Sequence, residues 1–158
     1  MSKFIDSLID RLKINQYIIN AQLDGFSDED ALIQPALRGN CANWILGHIL
    51  YGRNTMLERL GEATFWGEEH RVMYAFGSEP ITSADSPHIP HSELMPLMES
   101  TLETVIARLE KMTEDDLDAP IRDTTLGESF SFLVWHEAYH SGQFEYLRQL
   151  TGADDQVP

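Results

Sequence analysis

Cysteine is nearly absent: the 158 residues contain one, Cys41. That excludes an intramolecular disulfide and any CxxC or cysteine-rich zinc module. Basic residues are scarce, with 11 Lys and Arg against 26 Asp and Glu and a formal net charge of −15. Such a field repels phosphate backbones and anionic headgroups, whose recognition rests on Lys and Arg. Neither nucleic acid nor a membrane surface is therefore an expected partner. No apolar run approaches the roughly 18 residues of a membrane span. Residues 1–13 form an acid-containing amphipathic pattern without the apolar centre of a signal peptide, so the expected location is cytoplasmic. Period-2 runs of Val, Ile and Thr bounded by hairpin turns are missing, as are internal repeats and low-complexity tracts.

What is present is helical periodicity. Ile5, Leu8, Ile9, Leu12, Ile19 and Leu23 recur at spacings of three and four, predicting an amphipathic helix over 3–23. A second helix is predicted from Cys41 to about Leu60, closed by Gly61, and a third from His91–Glu93 to Met112. Pro96 is tolerated in the third if it falls near the first turn. A fourth helix spans about 126–150. Four helices of about 20 residues, each about 30 Å long, have the proportions of a four-helix bundle. The length suits one domain, 1–158. The expected fold is all-α, a four-helix bundle with a long connection, 63–90, between helices two and three. That connection carries a short helix around 68–75 and either covers a site or only returns the chain along the bundle. The second helix has two apolar faces, Leu46, Leu50, Leu57 and Leu60 on one side and Trp44, His48, Tyr51 and Thr55 on the other. One side should face the interior, the other the connection or a second subunit.

Chemistry concentrates in the histidines. His136 and His140 stand four residues apart, about 6 Å along one helix face, so both imidazoles can converge on one metal ion. Gln143 lies on the same side. The letters His136-Glu137-Ala138-Tyr139-His140 also match H-E-x-x-H, the zinc-peptidase motif in which Glu is the general base. The context does not match. No histidine follows His140, Glu145 sits nearly opposite His136 on the wheel, and Gln143 and Tyr146 stand where the extended motif needs Gly and His. A third ligand must then come from upstream, and His48, in mid-helix among Trp44, Ile45 and Tyr51, is the best candidate. His70, His88 and His91 lie in or beside the connection and are expected to face solvent.

The run from His136 to Gln143, continuing Phe144-Glu145-Tyr146-Leu147-Arg148, resembles the last helix of DinB-like proteins. Asn43-Trp44-Ile45-Leu46-Gly47-His48 resembles the segment carrying that family's first histidine, and the helical order agrees over nearly the whole chain. The resemblance implies a four-helix bundle, a nickel or zinc ion and a homodimer. It further implies kinship with thiol-dependent S-transferases and a maleylpyruvate isomerase that use bacillithiol, mycothiol or glutathione.

Three neutral imidazoles leave a divalent ion its full charge and at least one open position, as in catalytic sites. Such an ion activates bound water for hydrolysis or stabilises a thiolate for S-transfer, and imidazole suits Zn, Ni, Cu and Fe alike. Gln143 can hydrogen-bond a metal-bound ligand or bridge two helices. For Glu137 a surface position or a hydrogen bond to a ligand is expected rather than a general-base role. Trp44 and Tyr51 either wall a substrate pocket or pack as plain core. Cys41 is read as a small buried residue. The leading expectation is a metal-dependent enzyme transferring a low-molecular-weight thiol to a small-molecule electrophile. The alternatives are a non-catalytic metal-binding stress-response protein and a metal-dependent hydrolase. An anionic thiol would need a local basic pocket, with Arg53, Arg59, Arg71 and Arg148 as candidates.

Overall fold

The computed structural model describes residues 2–155 and 157. In chain order its helices are α1 (Lys3–Leu23), α2 (Ala42–Arg59), α3 (Glu68–Tyr74), α4 (His91–Leu109), α5 (Glu114–Leu117) and α6 (Leu126–Leu150). The long helices α1, α2, α4 and α6 form the expected four-helix bundle. Helix α1 packs on α4 and α6, and α2 packs on the same two. The apolar stripe expected of α1 is the buried one, including Ile5, Leu8, Ile9, Leu12, Ile19 and Leu23.

The core has two apolar parts with a polar layer between them. One gathers Leu46, Leu50, Tyr74, Leu94, Met98 and Phe144; the other Leu8, Leu12, Leu57, Val105, Phe130 and Val134. In the layer, Arg53 and Glu137 are 1% and 2% exposed. Arg53 Nε and Nη2 donate to Glu137 Oε2 and Oε1 at 3.1 and 2.8 Å, and Nη1 donates to Gln16 Oε1 and the Met98 carbonyl. A buried charge costs several kcal/mol unless its partner and its remaining donors are satisfied. Here one carboxylate, one amide and one carbonyl take the whole guanidinium fork, which ties α1, α2, α4 and α6 together at one level.

Several details depart from the sequence reading. The third long helix ends at Leu109 rather than Met112, because Thr113 and Asp116 form a capping box that starts α5. Pro96 lies beyond the first turn of α4, and its exposed position lets water reach the carbonyl that its missing N–H leaves unbonded. Two two-residue strands, β1 (Pro120–Ile121) and β2 (Thr124–Thr125), pair antiparallel ahead of α6. They are too short to show any alternation in sequence. A second capping box, Thr125 with Glu128, opens α6. His91, expected in solvent, is buried at the start of α4 with its ring 6.1 Å from that of Phe26.

The connection between α2 and α4 lies against α2. Asn54 Oδ1 accepts from the Phe65 and Trp66 N–H groups, and Asn43 Nδ2 donates to the Ile89 carbonyl at 2.7 Å. Tyr74, fully buried, donates its hydroxyl to Asn43 Oδ1 and accepts from the Ile89 N–H. The second apolar face of α2 therefore meets the connection along part of its length. The rest of that face forms one wall of a cleft against α6. Among the described residues no helix is long and apolar enough to cross a membrane.

Candidate metal centre

Helix periodicity alone brings His136 and His140 to one face of α6, and the packing of α2 on α6 brings His48 to meet them. The Nε2 atoms of His48 and His140 each lie 3.1 Å from His136 Nε2, and the three candidate ligand atoms all fall within 4.8 Å of one another. Among the described residues this is the one group of three or more His, Cys, Asp or Glu that could hold a metal ion.

Hydrogen bonds outside the cluster set the tautomers. His48 Nδ1 donates to the Tyr74 carbonyl at 2.6 Å, and His140 Nδ1 donates to Gln143 Oε1 at 2.7 Å. With those protons on Nδ1, the Nε2 atoms of both rings carry lone pairs turned toward the third ring. His136 can offer at most one N–H between them, so lone pairs outnumber protons. A cation at the convergence point would resolve that excess, and the outer hydrogen bonds are of the kind that fix and strengthen metal-ligating imidazoles. Nitrogens about 2.1 Å from one ion stand about 3.0–3.4 Å apart at octahedral to tetrahedral angles, a range that contains the two spacings to His136. The residues fit a divalent ion.

Burial keeps these rings neutral. It is the largest cause lowering the pKa of all three. His136, with the neighbouring His140 and His48 adding to the effect, is pushed down to about 4. Neutral imidazole is the form that binds metal.

The histidines open into a cleft of about 640 Å³ whose walls include Trp44, Tyr51, Phe132, Trp135, Tyr139 and Arg59. Trp44 stacks on His48 with ring centroids 4.7 Å apart, and its Nε1 donates to Ser78 Oγ at 2.9 Å. Trp44 and Tyr51 thus line the cleft and at the same time pack on the apolar core. Gln143 neither bridges helices nor points to the convergence point; it orients His140. Glu137 is not at the surface, as its pairing with Arg53 shows, and both its oxygens are taken. The H-E-x-x-H letters thus describe two converging histidines with a structural carboxylate between them.

Arg53 is withdrawn from any ligand role by the same pair, Arg71 pairs with Glu58, and Arg148 pairs with Asp155. Arg59 alone of the four candidate arginines lines the cleft. His70 and His88 are partly exposed and stand outside the cluster. Cys41 is fully buried, and burial pushes its thiol pKa up. Sequence reasoning missed Tyr74 and Gly47. A Cβ on Gly47 would lie 2.1 Å from the Tyr74 ring, so the glycine before His48 is what lets Tyr74 approach. Only the glycine was visible as a signal; the tyrosine is 26 positions from the histidine it holds.

Fold and site together define a class: a helical bundle with three histidines from two helices at the head of an aromatic-walled cleft. A sequence model of the DinB superfamily matches residues 11–144, and the chain belongs to that superfamily. The crystal structure of a conserved protein from Enterococcus faecalis is similar, with a TM-score of 0.67 and 18% identity, covering 97% of this chain and 100% of that one. At that identity the likeness concerns the fold alone. No curated protein matches the sequence.

Proposed function

We propose that the protein binds one divalent metal ion, nickel or zinc, through His48, His136 and His140. We further propose that it transfers a low-molecular-weight thiol to a small electrophilic substrate. The observation that carries this reading is the convergence of three imidazole lone pairs on one point at the head of a cleft large enough for a small molecule. A divalent ion bound there would supply a Lewis-acid centre that holds a thiol as its thiolate near neutral pH.

The chain's own residues do the rest. The Tyr74 carbonyl and Gln143 hold His48 and His140 with Nε2 free, and Trp44 fixes the His48 ring plane. The aromatic walls offer faces on which a planar electrophile can stack. In the transfer, sulfur forms a bond to the electrophilic carbon, the leaving group departs with its electron pair, and the thiol proton goes to solvent. Glu137 takes no part, since Arg53 holds it. The acidic surface favours a small-molecule partner over nucleic acid or membrane. A cytoplasmic homodimer completes the proposal.

Elemental analysis of wild type and His48→Ala, beside a thiol conjugation assay with 1-chloro-2,4-dinitrobenzene, tests it. The expected result is about one metal per wild-type chain, mostly lost in the variant, and turnover abolished by a chelator. A metal-loaded wild type inert toward several thiols and electrophiles would refute the transferase and leave a metal-binding protein.

A further inference from the structure

The cleft extends well beyond the histidines. On α2, His48, Tyr51, Thr55 and Arg59 line it at spacings of three and four, so one helix face forms a wall running about 16 Å from imidazole to arginine positions. Opposite, Phe132 and Leu133 of α6 lie between His136 and Ser129. Arg59 is the one charged side chain along this length.

Its surroundings set it apart. Of the arginines that are buried or partly buried, Arg53, Arg71, Arg108 and Arg148 each pair with a carboxylate, namely Glu137, Glu58, Glu62 and Asp155. Arg59 has no such partner among the described residues. It donates to the Ser129 hydroxyl, and Glu58, its neighbour in sequence, gives its carboxylate to Arg71. Burial, and then the positive charge of Arg122, lower the Arg59 pKa, with Glu58 and Tyr51 acting weakly the other way. In a chain with 26 acidic residues against 11 basic ones, that arrangement is unexpected unless the site serves an anion.

Arg122 is the nearest further positive charge acting on Arg59. It has φ 53°, the left-handed conformation, in the loop that joins β1 to β2. Glycine or asparagine holds such a position with least strain. Here an arginine does, close enough to Arg59 for its charge to be felt there.

We propose that this end of the cleft is a carboxylate-binding subsite, so that the ligand is an elongated molecule with an apolar or aromatic body and a terminal carboxylate. Arg59 holds the carboxylate through its guanidinium fork, Arg122 reinforces the charge, and the body lies between Tyr51 and Phe132. The far end of the molecule then reaches the three histidines. A guanidinium suits a planar carboxylate through paired N–H donors. The net charge of −15 penalises each further negative charge on a ligand, which favours a single carboxylate. This subsite rests on the reading of the cleft as the substrate site, and it names the class of substrate.

The test uses the full chain with two probes, 4-phenylbutyrate and its uncharged amide, titrated while the fluorescence of the cleft tryptophans Trp44 and Trp135 is followed. Wild type should bind the carboxylate roughly tenfold more tightly than the amide. Arg59→Gln should bind both with the amide's affinity, while Arg122→Gln, in an exposed turn, should lose part of the preference. Arg108→Gln, whose partner is Glu62, should keep all of it. Should Arg59→Gln misfold, Arg122→Gln and Arg59→Lys carry the test, the lysine retaining charge but not the fork. Equal affinity for the two probes in wild type, or a preference that survives Arg59→Gln, would overturn the subsite. Metal content is measured on the same samples. A carboxylate preference without thiol turnover would leave the subsite standing and refute the transferase, and turnover without the preference would do the reverse.

Discussion

Glu137 shows how a residue's role follows from its partners more than from its motif. Beside His136 it stands in the letters of a metallopeptidase, yet both oxygens meet one guanidinium in a layer closed to water. Replacing it with glutamine keeps size and removes charge, leaving Arg53 buried without its counterion. The expected cost is about 3–5 kcal/mol, read as a lower midpoint in urea denaturation. Arg53→Met combined with Glu137→Leu removes both charges and should recover much of that loss. A general-base role predicts the opposite pattern, in which Glu137→Gln stays as stable as wild type and loses only turnover. Sequence reasoning excluded the peptidase through the missing downstream ligand, but Arg53 is 84 positions away and no spacing rule joins the two. The histidines were legible for the converse reason: i, i+4 on one helix needs no tertiary information, and His48 required only that one buried histidine find a polar partner.

At the scale of elements, the long helices were legible because each buries a continuous stripe, as the α1 residues from Ile5 to Leu23 illustrate. The α6 span was read as 126–150, which is what the structure has. Helix α5, with four residues, has no periodicity to read, although its Thr113 and Asp116 cap was present in the letters. The connection between α2 and α4 was ambiguous between cover and connector. Its packing answers the question, because it delivers the Tyr74 carbonyl to His48. Gly47 makes that delivery possible. In Gly47→Ala the new methyl would fall inside the buried Tyr74 ring, and neither α2 nor the ring has room to yield cheaply. The expected loss is about 1–3 kcal/mol of stability. Metal affinity should also fall, by roughly 10–100-fold, as the His48 ring loses its anchor. Tyr74→Phe keeps the ring and the carbonyl and loses only the hydroxyl bonds to Asn43 and Ile89, so it should weaken stability while sparing metal affinity. Competition with a chromophoric chelator separates the two effects.

For the molecule as a whole, two electrostatic effects of opposite sign meet as pH falls. The surface charge of −15 is reduced as carboxylates protonate, which relaxes repulsion in the folded state. Buried histidines act the other way. His48, His91, His136 and His140 all have pKa values lowered chiefly by burial, His136 to about 4, whereas the unfolded chain takes up those protons near 6.5. Between those limits the unfolded state binds more protons, so stability decreases as the pH is lowered. Their contribution is fully present above about 6.5 and is lost as pH falls through the lowered values, about 4 for His136. Metal-stripped protein should therefore show urea midpoints that decline from pH 7.5 to 5. In 0.5 M salt the decline should steepen, because screening removes the opposing relief of surface repulsion and leaves buried rings largely unaffected. His136→Gln and His91→Gln should each flatten the slope without abolishing it. A slope unchanged by both substitutions would assign the pH dependence to surface carboxylates instead. With zinc or nickel added, protons compete with the ion for the same Nε2 atoms, so the loaded protein should be more stable at pH 7.5 and lose that gain across the same acid window.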